Sequence, residues 1–216
     1  MMDLIGMNII WFYIYNKGEF NSIIFGREST QMTTIYFVRH AHSIYTPNEL
    51  ERPLSERGLC DVDRLNKIFT KKALDLVLAS PYKRAIQTVE GIAKANGKEV
   101  ITNPAFCERL LSSEPVGDFH QAISKVWSHP SFAWLGGESN IDAQRRGVQA
   151  TLGVLEQYEG KRIAIGTHGN LMVLIMQYFD RRFDFSFWQQ LAMPDVYQLE
   201  FIGRELKSVK RIWKEN

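Results

Sequence analysis

Residues 34–40 read TIYFVRH, and this run decides which fold the chain is expected to adopt. Its first five residues are dense in β-branched and aromatic side chains, which predicts a buried strand. The strand ends in two reactive residues, Arg39 and His40. Residues 75–79 (DLVLA) and 162–167 (RIAIGT) are similar short apolar runs, and we expect them to form two further buried strands.

Amphipathic stretches separate these runs, and their apolar residues recur at helical spacing. They predict helices over residues 55–69, 81–96, 139–158 and 169–179. Additional strands are expected at residues 99–101, 196–202 and 206–213, the last two joined by a tight turn at Gly203-Arg204. The alternation predicts an α/β fold, a three-layer α/β/α sandwich with a mostly parallel central sheet.

The composition narrows the classes of protein to which the chain can belong. With 216 residues, of which 45% are hydrophobic and 23% charged, the chain suits a globular domain with one core. A formal net charge of +2 gives no reason to expect binding to nucleic acid or to an acidic membrane surface. Cys60 and Cys107 lie far apart without metal-ligand spacing, which is typical of a reduced, cytoplasmic protein.

We expect residues 32–216 to form one domain and residues 1–31 to be an N-terminal extension. Within the extension, residues 7–15 (MNIIWFYIY) are too short to span a membrane and predict either an added edge strand or an interface segment. Alternatively, natural translation starts at Met32. Residues 102–138 lack clear periodicity, apart from a helix expected at 116–127, and are interpreted as a variable, cap-like segment or an insertion.

Polar residues follow three of the predicted strands at their carboxyl ends, where open α/β sheets bind ligands. Arg39 and His40 follow the first strand, Arg84 comes shortly after the second, and His168-Gly169 follows a third. Arginine matches two phosphate oxygens at once, and a neutral imidazole can attack phosphorus. Gly169 allows the backbone N–H groups of a helix N-terminus to approach an anion. The pattern therefore predicts a phosphate pocket at this edge.

The chain also carries a series of short motifs that resemble those of the histidine phosphatase superfamily, also called phosphoglycerate mutase-like. The resemblance covers about residues 33–202, with the motifs in the family's order. They are Arg39-His40-Ala41, residues 52–58 (RPLSERG), 80–88 (SPYKRAIQT), 137–139 (GES) and 167–170 (THGN).

The resemblance implies the role of each candidate site residue. His40 would be the nucleophile that becomes phosphorylated, and Arg39, Arg84 and His168 would hold the phosphoryl group, with Gly169 beside it. Glu108, in the run CERL at residues 107–110, would protonate the leaving group. No metal and no organic cofactor is expected, because the arginines supply the positive charge. The implied activity is a metal-independent phosphatase with a phosphohistidine intermediate.

Several departures from the family pattern leave the substrate open. Ala41 stands where glycine is usual, and His42-Ser43 replaces a common Glu-Thr pair. The connection from there to Pro53 is short, which resembles the compact bacterial phosphohistidine phosphatases. The segment after Glu108 lacks the glycine- and tryptophan-containing motif of many members. A small phosphorylated metabolite is the expected substrate.

Other functions remain as alternatives. These are phosphoglycerate mutase-type transfer, hydrolysis of phosphohistidine on a protein, a metallohydrolase using His40 and His42, and a non-catalytic phosphate-binding scaffold. The core of about 185 residues after Met32 is short for a mutase of this family and favours hydrolysis. An aromatic cluster at residues 183–188 predicts packing or, if exposed, the contact surface of a homodimer.

Overall fold

The computed structural model describes residues 11–16 and 19–24 by their backbone and residues 30–214 in full. β1 (Trp11–Asn16) and β2 (Glu19–Ile24) pair antiparallel in a two-stranded sheet of their own. The described part of the run at residues 7–15, residues 11–15, therefore does not form an edge strand of the main sheet. The first four residues of the run lie outside the described residues. Its interpretation as an interface segment stays a prediction.

A six-stranded sheet forms the centre of the molecule. Its strands are β3 (Met32–Arg39), β4 (Leu76–Ala79), β5 (Val100–Thr102), β6 (Arg162–Thr167), β7 (Asp195–Ile202) and β8 (Glu205–Arg211). They lie in the order β5-β4-β6-β3-β7-β8. The first four strands in this order pair in parallel, and β7 runs antiparallel to both of its neighbours. The mostly parallel sheet predicted from the sequence is confirmed.

Helices cover both faces of this sheet, which confirms the three-layer sandwich. The helices are α1 (Glu56–Phe69), α2 (Lys83–Ala95), α3 (Phe119–Ser128), α4 (Asn140–Gln157), α5 (Gly169–Phe179) and α6 (Phe185–Gln189). Alternate residues of β3 point to opposite faces, as strand geometry requires. Ile35 and Phe37 enter a core with residues of α4 and α5, whereas Tyr36 and Val38 pack with residues of α1 and α2.

Capping side chains set where several helices begin. Ser55 accepts a hydrogen bond from the Gly58 N–H at 3.1 Å, and Ser139 accepts one from the Asp142 N–H at 3.1 Å, so α1 and α4 begin as expected. The helix expected at 116–127 instead begins at Phe119, because Asp118 caps it. None of the described helices is long and apolar enough to cross a bilayer.

The cap-like segment contains a 3₁₀ turn (Pro104–Phe106) and α3, and the rest of it is irregular. Trp127 of α3 packs against the aromatic cluster of α6, with ring centroids 5.6 Å from Phe185 and 6.5 Å from Trp188. Phe187 and Trp188 also pack against the main core. The cluster therefore contributes to packing within the chain, and the expected homodimer stays a prediction.

Candidate active site

The carboxyl ends of three adjacent strands, β4, β6 and β3, meet at one edge of the sheet. Backbone hydrogen bonds continue past the strands, from His40 N–H to the Thr167 carbonyl at 2.9 Å and from Ser80 N–H to the Gly166 carbonyl at 2.8 Å. This pairing places His40, Ser80 and His168 side by side. The rings of the two histidines have centroids 5.2 Å apart.

The hydrogen bonds of His40 determine which of its ring nitrogens is unprotonated. Its side chain is buried, and Nδ1 lies 2.8 Å from the Ala41 carbonyl oxygen. A carbonyl can only accept, so the proton resides on Nδ1 and the lone pair on Nε2. Arg84 Nε–H donates to that Nε2 at 3.3 Å. The next peptide is fixed as well, because the Ala41 N–H donates to Thr88 Oγ1 at 3.0 Å.

Both histidines are kept neutral by their surroundings. Burial lowers the pKa of His40 to about 3, and the charges of Arg84 and Arg39 act in the same direction. Burial, followed by the neighbouring His40 and Arg84, also lowers the pKa of His168 well below its usual value. The His40 imidazole therefore presents an unprotonated Nε2 at neutral pH, which is the form that can act as a nucleophile.

The buried histidines should make the protein less stable as the pH falls. Below about pH 6.5 the unfolded chain takes up protons on these side chains that the folded protein does not bind, so stability is lost toward pH 3. Each histidine contributes at most about 1.4 kcal/mol per pH unit in that window. The free energy of unfolding can be measured with urea at several pH values between 6.5 and 5. It should fall less steeply with decreasing pH for His40→Asn than for the wild type.

The exposed histidine His42 supplies the control for this experiment. His42→Asn should leave the pH dependence steeper than His40→Asn does. If the free energy of unfolding changed equally with pH in His40→Asn and the wild type, the folded and unfolded states would bind the same number of protons at His40. That result would contradict the lowered pKa.

Two of the buried nitrogen atoms at this edge that lack hydrogen-bond partners among the described residues are His168 Nδ1 and Arg39 Nε. The other nitrogen of His168, Nε2, lies 2.9 Å from Ser80 Oγ. Buried polar groups are rarely left unpaired, and unpaired ones indicate a binding or catalytic role. A bound anion at this position would supply the acceptor that Arg39 Nε lacks.

Arg39 is fixed by the loop that precedes β7. Its Nη1 donates to the carbonyls of Leu191 and Ala192 at 3.0 and 2.9 Å. Buried Asp195 orients this loop, since its carboxylate accepts from the Ala192 N–H at 3.0 Å. Burial lowers the pKa of Arg39, but an arginine keeps its charge at neutral pH. The side chain is thus a positioned cation beside His40.

Arg84 is buried beside His40. Its guanidinium lies over the Tyr82 ring, 4.8 Å from the centroid, and makes an ion pair with Glu49, where Nη2 and Oε2 are 3.1 Å apart. Arg84 and His168 thus lie against His40, and Arg39 is near enough to affect its pKa.

Gly169 is the first residue of α5 and lies against Arg39. A Cβ added there would come within 2.8 Å of Arg39 Nε and 3.0 Å of its Cζ. Because the Arg39 guanidinium is held by two carbonyls, it cannot move without losing those bonds. We expect Gly169→Ala to lower kcat/KM by roughly tenfold to a hundredfold, through a shift in a phosphate-binding group.

Steady-state kinetics on a phosphomonoester would test this prediction, with Gly153→Ala as the control. A Cβ at Gly153, inside α4, meets no atom within 4 Å, so this substitution should leave activity unchanged. Equal kcat/KM for Gly169→Ala and Gly153→Ala would show that Arg39 tolerates the displacement.

Glu108 is anchored at the N-terminus of α5. Its Oε1 accepts from the backbone N–H groups of Arg109 and Leu171 at 2.9 and 3.0 Å, and its Oε2 accepts from that of Asn170 at 3.1 Å. The carboxylate also contributes to the electrostatic environment of Arg84. The structure thus brings Glu108 to the helix that begins with Gly169, so all six predicted site residues occupy one edge of the sheet.

Several site residues were not assigned a role from the sequence. Ser80 fixes His168, Tyr82 packs against that histidine with ring centroids 5.0 Å apart, and Glu49 pairs with Arg84. Arg109 is buried, and its Nε and Nη1 lack hydrogen-bond partners among the described residues. Ser80, Tyr82 and Arg109 lie inside the runs SPYKRAIQT and CERL, and Glu49 lies shortly before the run RPLSERG. A position in or near a motif does not reveal which side chains a residue contacts.

The metal hypothesis requires His40 and His42 to act together. His42 is exposed, with Nδ1 2.8 Å from Ser55 Oγ, whereas His40 is buried. Within the part of the chain that the structure describes, no group of three or more His, Cys, Asp or Glu side chains is arranged to hold a metal ion.

The family model of the histidine phosphatase superfamily (branch 1) matches residues 35–211, which is most of the chain. The protein belongs to this superfamily. The matched residues include all six predicted site residues and the helices on both faces of the sheet. The resemblance of the sequence motifs to this family is thereby confirmed. Among curated proteins, none matches the sequence significantly.

Solved structures related to this histidine phosphatase superfamily member share its fold at low sequence identity. A mycobacterial glucosyl-3-phosphoglycerate phosphatase has a TM-score of 0.68 at 17% identity, covering 84% of this chain and 97% of that one. Bacillus stearothermophilus YhfR has a TM-score of 0.67 at 23% identity, covering 81% of this chain and 94% of that one. A phosphoserine phosphatase mutant from Entamoeba histolytica, in complex with phosphoserine, has a TM-score of 0.66 at 19% identity. The match covers 82% of this chain and 96% of that one.

Proposed function

We propose that this protein is a phosphoric monoester hydrolase that acts through a phosphohistidine on His40. The observation that carries the proposal is the neutral, buried His40, whose Nε2 lone pair is set by the Ala41 carbonyl and contacts Arg84, with the charge of Arg39 nearby. A cationic site of this kind binds a phosphate dianion and leaves the nucleophile unprotonated. Membership of the superfamily supports the same reaction.

In the first step, His40 Nε2 attacks phosphorus while the bond to the leaving oxygen breaks. Arg39, Arg84 and His168 hold the phosphoryl oxygens, and Glu108 donates a proton to the departing alkoxide. The product alcohol leaves, and the phosphoryl group remains on His40.

In the second step, water attacks the phosphorus atom and the bond to Nε2 breaks. Glu108, now ionised, accepts a proton from that water. Inorganic phosphate is released, and His40 and Glu108 return to their initial protonation states. The two arginines supply the positive charge for both steps, so the proposed chemistry needs no metal ion.

The expected substrate is a small phosphorylated metabolite. Two related structures carry the names glucosyl-3-phosphoglycerate phosphatase and phosphoserine phosphatase, which favours this class over a phosphorylated protein. We further propose that the enzyme works in the cytosol, as the free thiols of Cys60 and Cys107 suggest. Neither nucleic acid nor a membrane is a proposed partner.

The test is phosphate release from a panel of phosphomonoesters, with a chelator present throughout. Release of inorganic phosphate with chelator present supports the proposal. A product isomer formed without free phosphate, and only with a bisphosphorylated primer, would indicate a mutase. Activity confined to phosphohistidine peptides would indicate the protein-directed alternative. Activity abolished by the chelator would overturn the metal-independent mechanism.

A further inference from the structure

The loop between β3 and α1 places a carboxylate on the guanidinium that is proposed to bind phosphate. An isolated antiparallel bridge between Ser43 and Leu54 closes the base of this loop. From its outer part, Glu49 binds Arg84 twice. Arg84 Nη1 donates to the Glu49 carbonyl oxygen at 2.8 Å, and Nη2 lies 3.1 Å from Glu49 Oε2.

All three nitrogen atoms of the Arg84 guanidinium are therefore engaged within the chain, because Nε donates to His40 Nε2 at 3.3 Å. Arg39 Nε and His168 Nδ1, by contrast, have no partner among the described residues. Arg84 can bind a phosphoryl group only by exchanging some of these partners. The bond to His40 Nε2 must break for the lone pair to attack, and Nη2 is held by a carboxylate that a dianion would displace.

The two partners of this ion pair differ in their exposure. The Arg84 side chain is 5% exposed, whereas that of Glu49 is 45% exposed. The arginine is fixed by its surroundings, and the glutamate can move into solvent at low cost. A second cation is available to it, since Arg52 Nη1 lies 3.1 Å from Glu49 Oε1. The carboxylate can thus leave Arg84 while it remains paired.

Resting on the phosphatase function proposed above, we propose that Glu49 competes with the phosphoryl group for Arg84. The carboxylate occupies Nη2 in the empty site, is displaced when a phosphate dianion binds, and returns when inorganic phosphate leaves. Glu49 is a positioning residue that acts through Arg84. It lowers affinity for every phosphate-bearing ligand and thereby limits product inhibition. The opposing interpretation is that Glu49 merely holds Arg84 in its binding position.

Substitution of Glu49 by glutamine separates the two interpretations. Glu49→Gln removes the charge but keeps the size and the backbone carbonyl that binds Nη1. Competition predicts that the Kd for inorganic phosphate, measured by calorimetry on the full chain, falls roughly threefold to tenfold. KM for a phosphomonoester should fall similarly, and kcat should stay within about twofold of the wild type. Glu49→Asp, which keeps the charge, should lie closer to the wild type.

Glu51→Gln is the matched control, because Glu51 lies on the same loop and pairs only with Lys83 in the described contacts, at 3.4 Å. Glu51→Gln should leave the Kd for inorganic phosphate and the KM for a phosphomonoester within about twofold of the wild type. Unchanged or weaker phosphate binding by Glu49→Gln would overturn the inference in favour of the holding role. Equal tightening by Glu51→Gln would overturn it in favour of a general charge effect. A wild type that neither binds phosphate nor hydrolyses esters would overturn the proposed function itself.

Discussion

Replacement of His40 by alanine should lower phosphomonoester hydrolysis by at least roughly 10⁴-fold, because no covalent route exists without the nucleophile. The buried imidazole of His40 is the group whose unprotonated Nε2 accepts a hydrogen bond from Arg84 Nε, at 3.3 Å. The measurement is phosphate release by the wild type and His40→Ala, with a chelator present.

A trapped intermediate would make this test specific. Wild-type protein quenched during turnover should carry a phosphoryl group that is stable to base and labile to acid, as expected for a phosphohistidine, and His40→Ala should carry none. The matched control is His42→Ala, which removes an exposed histidine two residues away and should retain activity. Equal activity in His40→Ala and the wild type would exclude His40 as the nucleophile.

The sequence predicts the sheet and the position of the site because each strand, together with the residues that end it, is one short continuous stretch of sequence. Residues 35–38 alternate between two cores, so their apolar character alone indicates burial on both faces. Once three such strands are parallel, Arg39, His40 and His168 must lie at one edge. The predicted strands and the site positions therefore follow from short stretches of sequence.

Contacts between distant segments could not be predicted in this way. Glu49 reaches Arg84 across 35 positions, and Ser80 reaches His168 across 88. Neither pair has a characteristic spacing, and each depends on how a loop folds over the sheet. The expected start of the third helix at residue 116 is wrong for a related reason. The Asp118 cap, and not hydrophobic periodicity, determines where α3 begins.

Glu108 illustrates how placing a residue differs from assigning its role. Its carboxylate accepts three backbone N–H groups, so it anchors the start of α5 as well as standing where the resemblance places the acid. A loss of activity in a Glu108 variant could arise from either property. The substrate's leaving group separates them, because a good leaving group needs no proton whereas a displaced helix would impair every substrate.

We therefore expect Glu108→Gln to lower kcat for an alkyl phosphate by roughly 10²–10⁴-fold. With an aryl phosphate that has an acidic phenol, the first turnover should stay fast, since that leaving group departs as the anion. Hydrolysis of the phosphohistidine should then be slow, because the base for water is also lost. Stopped-flow measurement should show a burst of phenol equal to the enzyme concentration, followed by slow turnover.

The control for this experiment is Glu114→Gln, which changes an exposed carboxylate in the same connecting segment and should match the wild type. A thermal melt of Glu108→Gln reports how much the lost backbone contacts destabilise α5, independently of turnover. If the first turnover slows equally for the alkyl and aryl phosphates, Glu108 acts through the position of the helix. A burst with the aryl phosphate alone requires proton transfer by this carboxyl group, because a displaced Arg39 or Gly169 would slow phosphorylation from both substrates.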